Sequence, residues 1–275
     1  MIKATSQLLA IVGTPIEQVK SPDNFNAWFA RAGVDLVMLP MDVRAAQVPD
    51  LLALMRGWQN LRGVVVTVPH KQAFAAGVDS MSARAAALGA VNVVRRDPDG
   101  HLAGDTADGL GFIVAARAHG FSASGRRALV IGAGGVGSAI AYGLAESGVG
   151  TLALHDVDDH RVEALTATIT RAFASVRLER GAEDLGAFDL VVNATPVGMD
   201  ARSLPLAPAL LRTLAPHTLV ADVVTSPEMT PLLRLAQSIG CRVQAGPEMA
   251  RAQMEYLGAF MRVMPAVDTG MPGCA

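Results

Sequence analysis

Three short segments of this 275-residue chain place polar side chains directly after apolar runs. Val66–Lys71 reads V-T-V-P-H-K, Ala90–Val93 reads A-V-N-V, and Gly104–Gly109 reads G-D-T-A-D-G. An α/β protein carries its reacting groups at such turns, because the loops at strand ends converge on one edge of the sheet. Lys71 and Asp108 could therefore form a pair that transfers a proton. Taken alone, they also fit a plainer interpretation, a solvated lysine at a helix start and an aspartate that caps a helix.

The composition excludes several classes of function. Hydrophobic residues make up 51% of the chain, which is enough for a large core. The net charge of −2 gives no basic field for nucleic acid or an acidic membrane. Cys241 and Cys274 are too few and too far apart for a disulfide framework or a metal cluster, so we expect no metal and a reducing, cytoplasmic location. We find no signal peptide, and the uncharged stretch Ala128–Ala145 has a glycine-rich turn in its middle, which favours strand, turn and helix over a membrane span.

The first hundred residues alternate between strand-like and helix-like patterns. Ser21 and Ser80 are predicted to cap helices, and Asp108 to cap a third that runs to Ala118. The turn Asp97-Pro98-Asp99-Gly100 predicts a hairpin at a sheet edge. The predicted strands are Leu8–Val12, Asp35–Val43, Gly63–Val68 and Ala90–Arg96, and the helices follow Ser21-Pro22, span Ala45–Arg56 and end near Leu88.

A second series of alternating strands and helices begins at Ala128 and predicts a parallel sheet with right-handed crossovers. A long helix, Glu248–Val263, closes the fold, and the tail Pro265–Ala275 is predicted to be loose. The strands of this series are Ala128–Ile131, Thr151–His155, Asp189–Asn193 and Leu219–Val223, and the helices are Gly135–Glu146, Asp158–Phe173 and Met229–Ile239.

A glycine-rich turn in this second half predicts a dinucleotide site. The segment G-A-G-G-V-G follows an apolar strand and opens a helix, so a pyrophosphate can approach the helix N-terminus. Asp156 ends the next strand, where a carboxylate accepts hydrogen bonds from ribose hydroxyls and repels a 2′-phosphate. Asp156 therefore favours NAD, while Arg161, one helical turn later, keeps NADP open. The predicted contacts are Gly132, Gly134, Gly135, Val136, Gly137 and Asp156, joined by Asn193 and Thr195 at the end of a further strand, unless that segment is a plain turn.

The order of motifs resembles the shikimate/quinate dehydrogenase family over nearly the whole chain. Eight short motifs occur in the family's order: G-T-P-I-x-x-x-K-S-P, V-T-V-P-H-K, G-A-V-N, G-D-x-x-D-G, G-A-G-G-V-G, N-A-T-P-x-G-M, D-V-V-x-x-P-x-x-T-P-L-L and G-x-x-M-x-x-x-Q. Each is weak alone, but eight in order are specific.

The resemblance implies an α/β fold of two domains. Residues 1–108 would bind substrate, 109–245 would form a Rossmann domain for NAD or NADP, and the last helix, within 246–275, would return to the substrate domain. It implies reversible oxidation of a ring hydroxyl on a cyclic hydroxy acid such as shikimate or quinate. Lys71 and Asp108 would be catalytic, Ser21, Thr67, Asn92 and Gln253 would contact substrate, and Gly246 and Met249 would contact cofactor.

Elementary chemistry is compatible with those roles and leaves their division open. A buried lysine of lowered pKa can take the hydroxyl proton, with the carboxylate orienting it, or Asp108 can take the proton while Lys71 polarises the oxygen. His70, beside Lys71, is interpreted as a surface or capping residue. The alternative function is a weak or silent regulatory paralogue that binds cofactor or ring acid. A dehydrogenase for folate or amino-acid substrates is disfavoured by the two catalytic motifs. A monomer and a homodimer both stay open.

Three positions depart from the family pattern that the resemblance implies. Val19 stands where a first serine would hold the substrate carboxylate, and Thr225 where tyrosine is common. Glu248 replaces a residue of a glycine-rich turn and adds negative charge near the cofactor. A lost hydrogen bond to a charged group costs about 1.5–3 kcal/mol, so we expect retained redox chemistry with a shifted substrate preference.

Overall fold

In the computed structural model, which describes residues 2–17 and 19–266, the chain divides into two compact units. The first comprises the residues up to Ala107 together with those from Met254 onward, and the second is Asp108–Gln253. This division falls just before Asp108 and inside the last helix, rather than after residues 108 and 245 as predicted. Most of the predicted loose tail, and Cys274 with it, lies outside the described residues.

A six-stranded mixed sheet forms the frame of the first unit. Its elements are β1 (Gln7–Gly13), α1 (Ser21–Ala32), β2 (Leu36–Asp42), α2 (Val48–Gly57), β3 (Leu61–Val66), α3 (Lys71–Ala75), β4 (Ser80–Met81), α4 (Ala83–Leu88), β5 (Val93–Arg96) and β6 (Leu102–Asp105). The strand order is β2-β1-β3-β5-β6-β4, and β5 runs antiparallel to its neighbours β3 and β6. The carboxyl ends of β1, β2, β3 and β6 and the amino end of β5 therefore meet at one edge.

The interior strand β1 is buried on both faces, as its unbroken apolar run predicts. Its side chains alternate between two apolar clusters, because successive residues of a strand point to opposite faces. Leu9 and Ile11 join the cluster that contains Phe25 of α1, whereas Val12 joins the cluster that contains Leu52 of α2. The sheet is thus held between two helical layers.

Two of the predicted helix caps in this unit are wrong. Ser21 is the first residue of α1, after Lys20 at the N-cap, and makes no capping bond. Ser82 rather than Ser80 caps α4, because its extended backbone lets Oγ accept the Ala85 N–H at 3.2 Å. Ser80 lies in β4, which pairs with β6 at the edge of the sheet, so the predicted β5–β6 hairpin forms inside the sheet.

The second unit is a parallel six-stranded sheet with helices between its strands. Its elements are α5 (Asp108–Ala118), β7 (Arg127–Ile131), α6 (Gly135–Glu146), β8 (Thr151–His155), α7 (Asp159–Ala172), β9 (Arg177–Arg180), β10 (Leu190–Asn193), α8 (Pro208–Leu211), β11 (Leu219–Asp222), α9 (Pro231–Ile239), β12 (Arg242–Gln244) and the start of α10 (Gly246–Phe260). The strand order β9-β8-β7-β10-β11-β12 is the Rossmann order 3-2-1-4-5-6, which confirms the predicted fold.

Two further predictions about this half are confirmed. The last helix returns to the first unit from Met254 onward, where Leu257 joins its core. The uncharged stretch 128–145 is divided into β7, a turn and α6. Across residues 2–17 and 19–266, every helix is too short or too polar to cross a bilayer.

Candidate active site

The V-T-V-P-H-K segment leaves β3 and turns into α3, whose first residue is Lys71. The turn is held by backbone bonds on both sides. The Thr67 N–H donates to the Val12 carbonyl at 2.9 Å, and the His70 N–H donates to the Thr67 carbonyl at 3.0 Å. Beyond the turn, the Val91 N–H donates to the Lys71 carbonyl at 3.1 Å. The half-buried Lys71 therefore has a fixed origin between β1 and the segment that enters β5.

Asn92 holds the chain that leads to Asp108. Its Oδ1 accepts the Ala107 N–H at 2.8 Å, and its own N–H donates to the Asp105 carbonyl at 2.9 Å. The Asn92 carbonyl accepts the Val66 N–H at 2.7 Å, so the residue also ties this chain to β3. At 2% exposure Asn92 is buried. These bonds give it a structural role, and its contact with substrate stays a prediction.

The first aspartate of G-D-T-A-D-G carries a buried network that sequence reasoning missed. Arg84 donates to both Asp105 oxygens, from Nε at 2.9 Å and from Nη2 at 2.6 Å. The Thr106 N–H donates to Oδ1 at 2.7 Å, and the hydroxyls of Ser82 and Tyr256 donate as well. The Arg84 guanidinium also lies 5.3 Å from the centre of the Tyr256 ring. The only signal in the sequence was the place of Asp105 within the motif.

The interpretation of His70 as a surface or capping residue is correct only in its second part, since the residue is buried. The residue does occupy the N-cap position of α3, but its side chain makes no capping bond. The ring is buried, at 1% exposure, and its Nε2 lies 2.6 Å from the Val43 carbonyl oxygen. Ser21, which like Asn92 is predicted to bind substrate, is half-buried at the start of α1.

Asp108 and Gln253 are brought together in the second unit. Asp108 is the first residue of α5 and is buried, and Gln253 Nε2 donates to its Oδ1 at 2.6 Å. A β-carbon added at Gly111 would lie 2.7 Å from the Gln253 β-carbon, so α5 and α10 touch at this point. The amide of Gln253 therefore orients the carboxylate that we predict to be catalytic.

The glycine-rich turn has a backbone that two of its positions can adopt only as glycine. Gly132 has φ +103°, and a β-carbon at Gly137 would lie 1.8 Å from the Gly132 carbonyl oxygen, so both positions need glycine. Gly134 is the N-cap of α6, and a β-carbon at Gly134 or Gly135 would meet no atom within 4 Å. The space beside Gly134 and Gly135 is therefore open at the start of α6, and pyrophosphate binding there, near Val136, stays a prediction.

Asp156 follows β8 and faces this turn. Its Oδ2 accepts the Ala133 N–H at 2.6 Å, and its Oδ1 accepts the Asp158 N–H at 2.9 Å. Burial alone would raise the pKa of Asp156, but these N–H groups and the nearby Arg161 hold it below its usual value. A carboxylate accepts about four hydrogen bonds in all, so capacity for ribose hydroxyls remains. Arg161 itself pairs with Asp158 at 3.4 Å.

The loop after β10 is shaped by a buried polar network. Asn193 Nδ2 donates to the Val197 carbonyl and to Asp222 Oδ1, while its Oδ1 accepts the N–H and hydroxyl of Thr195. The Thr230 hydroxyl donates to Asp222 Oδ2 at 2.7 Å. Burial raises the pKa of Asp222 in spite of these bonds. The side chain of Asn193 therefore makes its hydrogen bonds within the protein and stabilises this loop. Direct contact of Asn193 and Thr195 with the cofactor stays a prediction.

The start of α10 carries the remaining predicted cofactor residues. Gly246 packs so closely that a β-carbon would lie 2.3 Å from a backbone oxygen, and Met249 is buried. Glu248 caps the helix, because its Oε1 accepts the Ala245 N–H at 2.8 Å, and its Oε2 pairs with His119 Nε2 at 2.6 Å. Burial opposes the charge of Glu248, but these two partners hold its pKa below the usual value. Both oxygens of its carboxylate are therefore already hydrogen-bonded within the protein. Among the described residues, no group of His, Cys, Asp and Glu side chains could hold a metal ion.

Comparison with known proteins gives one consistent result. A model of the shikimate dehydrogenase substrate binding domain matches residues 11–94. A shikimate dehydrogenase (NADP⁺) from Moorella thermoacetica is 37% identical and aligns over 90% of this chain and 85% of its own length. A quinate/shikimate dehydrogenase (NAD⁺) from Corynebacterium efficiens is 35% identical, over 96% of this chain and 95% of its own length.

Solved structures of similar proteins share the fold over almost the whole chain. Shikimate 5-dehydrogenase from Listeria monocytogenes, solved with shikimate and NAD, aligns with a TM-score of 0.89 at 28% identity, covering 98% of this chain and 95% of that one. The ligand-free 5-ketofructose reductase of a Gluconobacter species aligns with a TM-score of 0.88 at 27% identity, covering 96% and 95%.

Proposed function

This chain belongs to the shikimate/quinate dehydrogenase family of NAD(P)-dependent oxidoreductases, and on that premise we propose that it interconverts a ring hydroxyl and the matching ketone of a shikimate- or quinate-type acid. Lys71 and Asp108 handle the proton. The observation that carries this proposal is the common support of the two segments: Val91 holds the Lys71 carbonyl, and its neighbour Asn92 holds the residue before Asp108.

The residues divide the chemistry between them. In the direction of oxidation, either Lys71 takes the proton of the substrate hydroxyl while the Asp108 carboxylate orients the amine, or Asp108 takes the proton while Lys71 polarises the oxygen. Gln253 holds the Asp108 carboxylate by a 2.6 Å bond and so sets which oxygen faces the substrate. When bound, the nicotinamide dinucleotide accepts the hydride or returns it.

NAD is the proposed cofactor rather than NADP. Asp156 is held in its charged form beside the glycine-rich turn, where it accepts ribose hydroxyls and repels a 2′-phosphate. Arg161, the residue that kept NADP open, is already engaged with Asp158. Relatives of this chain use either cofactor, so the choice depends on these side chains.

The carboxylate side of the substrate site supports a shifted preference. Val19 packs against the apolar cluster of the first unit and offers no hydroxyl to a carboxylate, and Thr225 is exposed. Quinate, an amino-substituted shikimate or a related ring acid are the first candidates. A neutral polyhydroxy ketone is the second, because the apolar Val19 suits a substrate without a carboxylate and a structural neighbour is a reductase of 5-ketofructose.

A hydride-transfer assay tests this proposal. The purified wild type and Lys71→Ala are compared on shikimate, quinate and 5-ketofructose, each with NAD and NADP. We expect Lys71→Ala to lose roughly 10²–10⁴-fold in kcat while it keeps its affinity for cofactor, because a positioned proton-transfer group contributes that much. Lys3→Ala, which removes an exposed lysine of the same unit, should keep wild-type activity.

Two outcomes would contradict the proposal. Equal activity of the wild type and Lys71→Ala would exclude Lys71 from the reaction. No turnover of any of the three compounds by the wild type, with cofactor bound, would favour the regulatory alternative. A cytoplasmic location and a monomeric or homodimeric state stay predictions.

A further inference from the structure

The buried ring of His70 bridges the ends of three neighbouring strands. His70 follows β3 and Val43 follows β2, and β1 lies between these two strands. Since neighbouring strands are about 4.8 Å apart, the bond from Nε2 to the Val43 carbonyl joins loops that start two strand spacings, or about 10 Å, apart. Beneath it, the Val43 N–H donates to the Gly13 carbonyl and the Thr14 N–H donates to the Val68 carbonyl, both at 3.1 Å. The bond from His70 adds a side-chain link between the loop after β3 and the loop after β2.

The same bond identifies the ring nitrogen that donates. A carbonyl oxygen can only accept, so Nε2 must carry the proton that it shares with Val43 at 2.6 Å. Nδ1 is buried and has no hydrogen-bond partner among the described residues. His70 is therefore placed to donate one hydrogen bond, from Nε2 to the Val43 carbonyl, which suits a structural bridge between loops.

We propose that His70 is the positioning residue for Lys71, because its side-chain bond across the strand ends adds to the backbone bonds that hold the lysine-bearing turn. The inference rests on the proposed function, in which Lys71 is catalytic. His70 is linked to Lys71 by one peptide bond, and its carbonyl accepts the Phe74 N–H at 3.0 Å, so it also starts the helix that Lys71 opens. A shift of His70 is thus passed directly to the origin of the lysine side chain.

A pair of amide substitutions tests this. In His70→Gln, the side-chain nitrogen stands the same number of bonds from the backbone as Nε2, so it can still donate to Val43. In His70→Asn, the nitrogen stands one bond nearer the backbone and falls short. We expect His70→Asn to lower kcat by about 10- to 100-fold, because a misplacement near 1 Å costs as much as 10²-fold, with an unchanged KM for NAD. His70→Gln should keep kcat within about threefold of the wild type.

A second measurement reports on Lys71 without turnover. The chain has three lysines, Lys3, Lys20 and Lys71. Acylation by a small amine reagent, followed by peptide mass spectrometry, gives the rate at Lys71 against Lys3 as an internal reference. We expect this ratio, and the pH profile of kcat, to change in His70→Asn and to return toward wild type in His70→Gln. The matched controls His101→Asn and His101→Gln, at a partly exposed histidine bonded to Ser80, should change neither.

The outcomes separate this inference from the proposed function. If Lys71→Ala is inactive while His70→Asn keeps the wild-type kcat, pH profile and labelling ratio, His70 is only a folding element and the inference is wrong. A lower melting temperature alone, with unchanged kinetics per folded enzyme, also shows that His70 acts only in folding and overturns the inference. If Lys71→Ala is fully active, both the catalytic assignment and the role of His70 fail.

Discussion

Asp105→Asn is expected to destabilise the first unit by about 3–5 kcal/mol, although it only replaces one carboxylate oxygen by an NH2 group. The side chains of Asp105 and Arg84 are 2% and 10% exposed, so water cannot replace the lost interaction. The amide nitrogen would also face the donors of Arg84 or Tyr256, and a neutral amide no longer balances the charge of the buried guanidinium. Removing one member of a buried ion pair has that cost, whereas an exposed pair contributes about 0.2–1 kcal/mol.

Tryptophan fluorescence can measure this change in the first unit alone. The chain has two tryptophans, Trp28 and Trp58, and both lie in that unit. Urea unfolding followed by tryptophan emission therefore reports the free energy of unfolding of the first unit. This holds even if the two units unfold separately, when a single free energy for the whole chain would not be defined.

The matched control is Asp79→Asn in the same unit. Asp79 pairs with Arg56 at 2.9 Å, but these side chains are 33% and 39% exposed, so we expect a loss of about 1 kcal/mol or less. The double variant Arg84→Met/Asp105→Asn should be less destabilised than the sum of the single variants, because it no longer buries an unpaired charge. A loss below about 1 kcal/mol for Asp105→Asn, equal to that of the control, would refute this reasoning.

Two further predictions concern the second unit. Gly137→Ala should raise the Kd for NAD at least about tenfold, because the new methyl group would lie 1.8 Å from the Gly132 oxygen and open the glycine-rich turn. The unfolding of the first unit, monitored by tryptophan fluorescence, should not change. Unaltered affinity for NAD would count against the site. Asp222→Asn should become more stable relative to the wild type as pH rises above about 4, because burial raises the folded-state pKa of Asp222 above its unfolded value and its ionisation then costs stability. Thermal unfolding by circular dichroism across this range checks the second prediction, and a stability difference that does not vary with pH contradicts it.

Much of the second unit could be predicted from the sequence by itself. The strand Thr151–His155 and the helix Gly135–Glu146 have the predicted bounds, because apolar periodicity and glycine placement act over a few residues. The tightest contact of the glycine-rich turn is equally local, since it joins Gly137 to the carbonyl of Gly132, whose φ is positive. The order of eight short motifs then identified the family, for which no spatial information is needed.

The tertiary structure decided which distant side chains meet. His70 and Val43 are 27 residues apart, Arg84 and Asp105 are 21, and Tyr256 reaches Asp105 across 151. No local pattern encodes such pairs, because they depend on strand order and on the return of the last helix. The helix caps show the same limit on a smaller scale. Ser80 and Ser82 are both serines near the start of α4, but Ser80 pairs with β6 as part of a strand, and this leaves Ser82 as the N-cap. The sequence alone thus determined the chemistry available at Lys71 and Asp108, and folding determined the supports that hold it, because a support is defined by proximity in space.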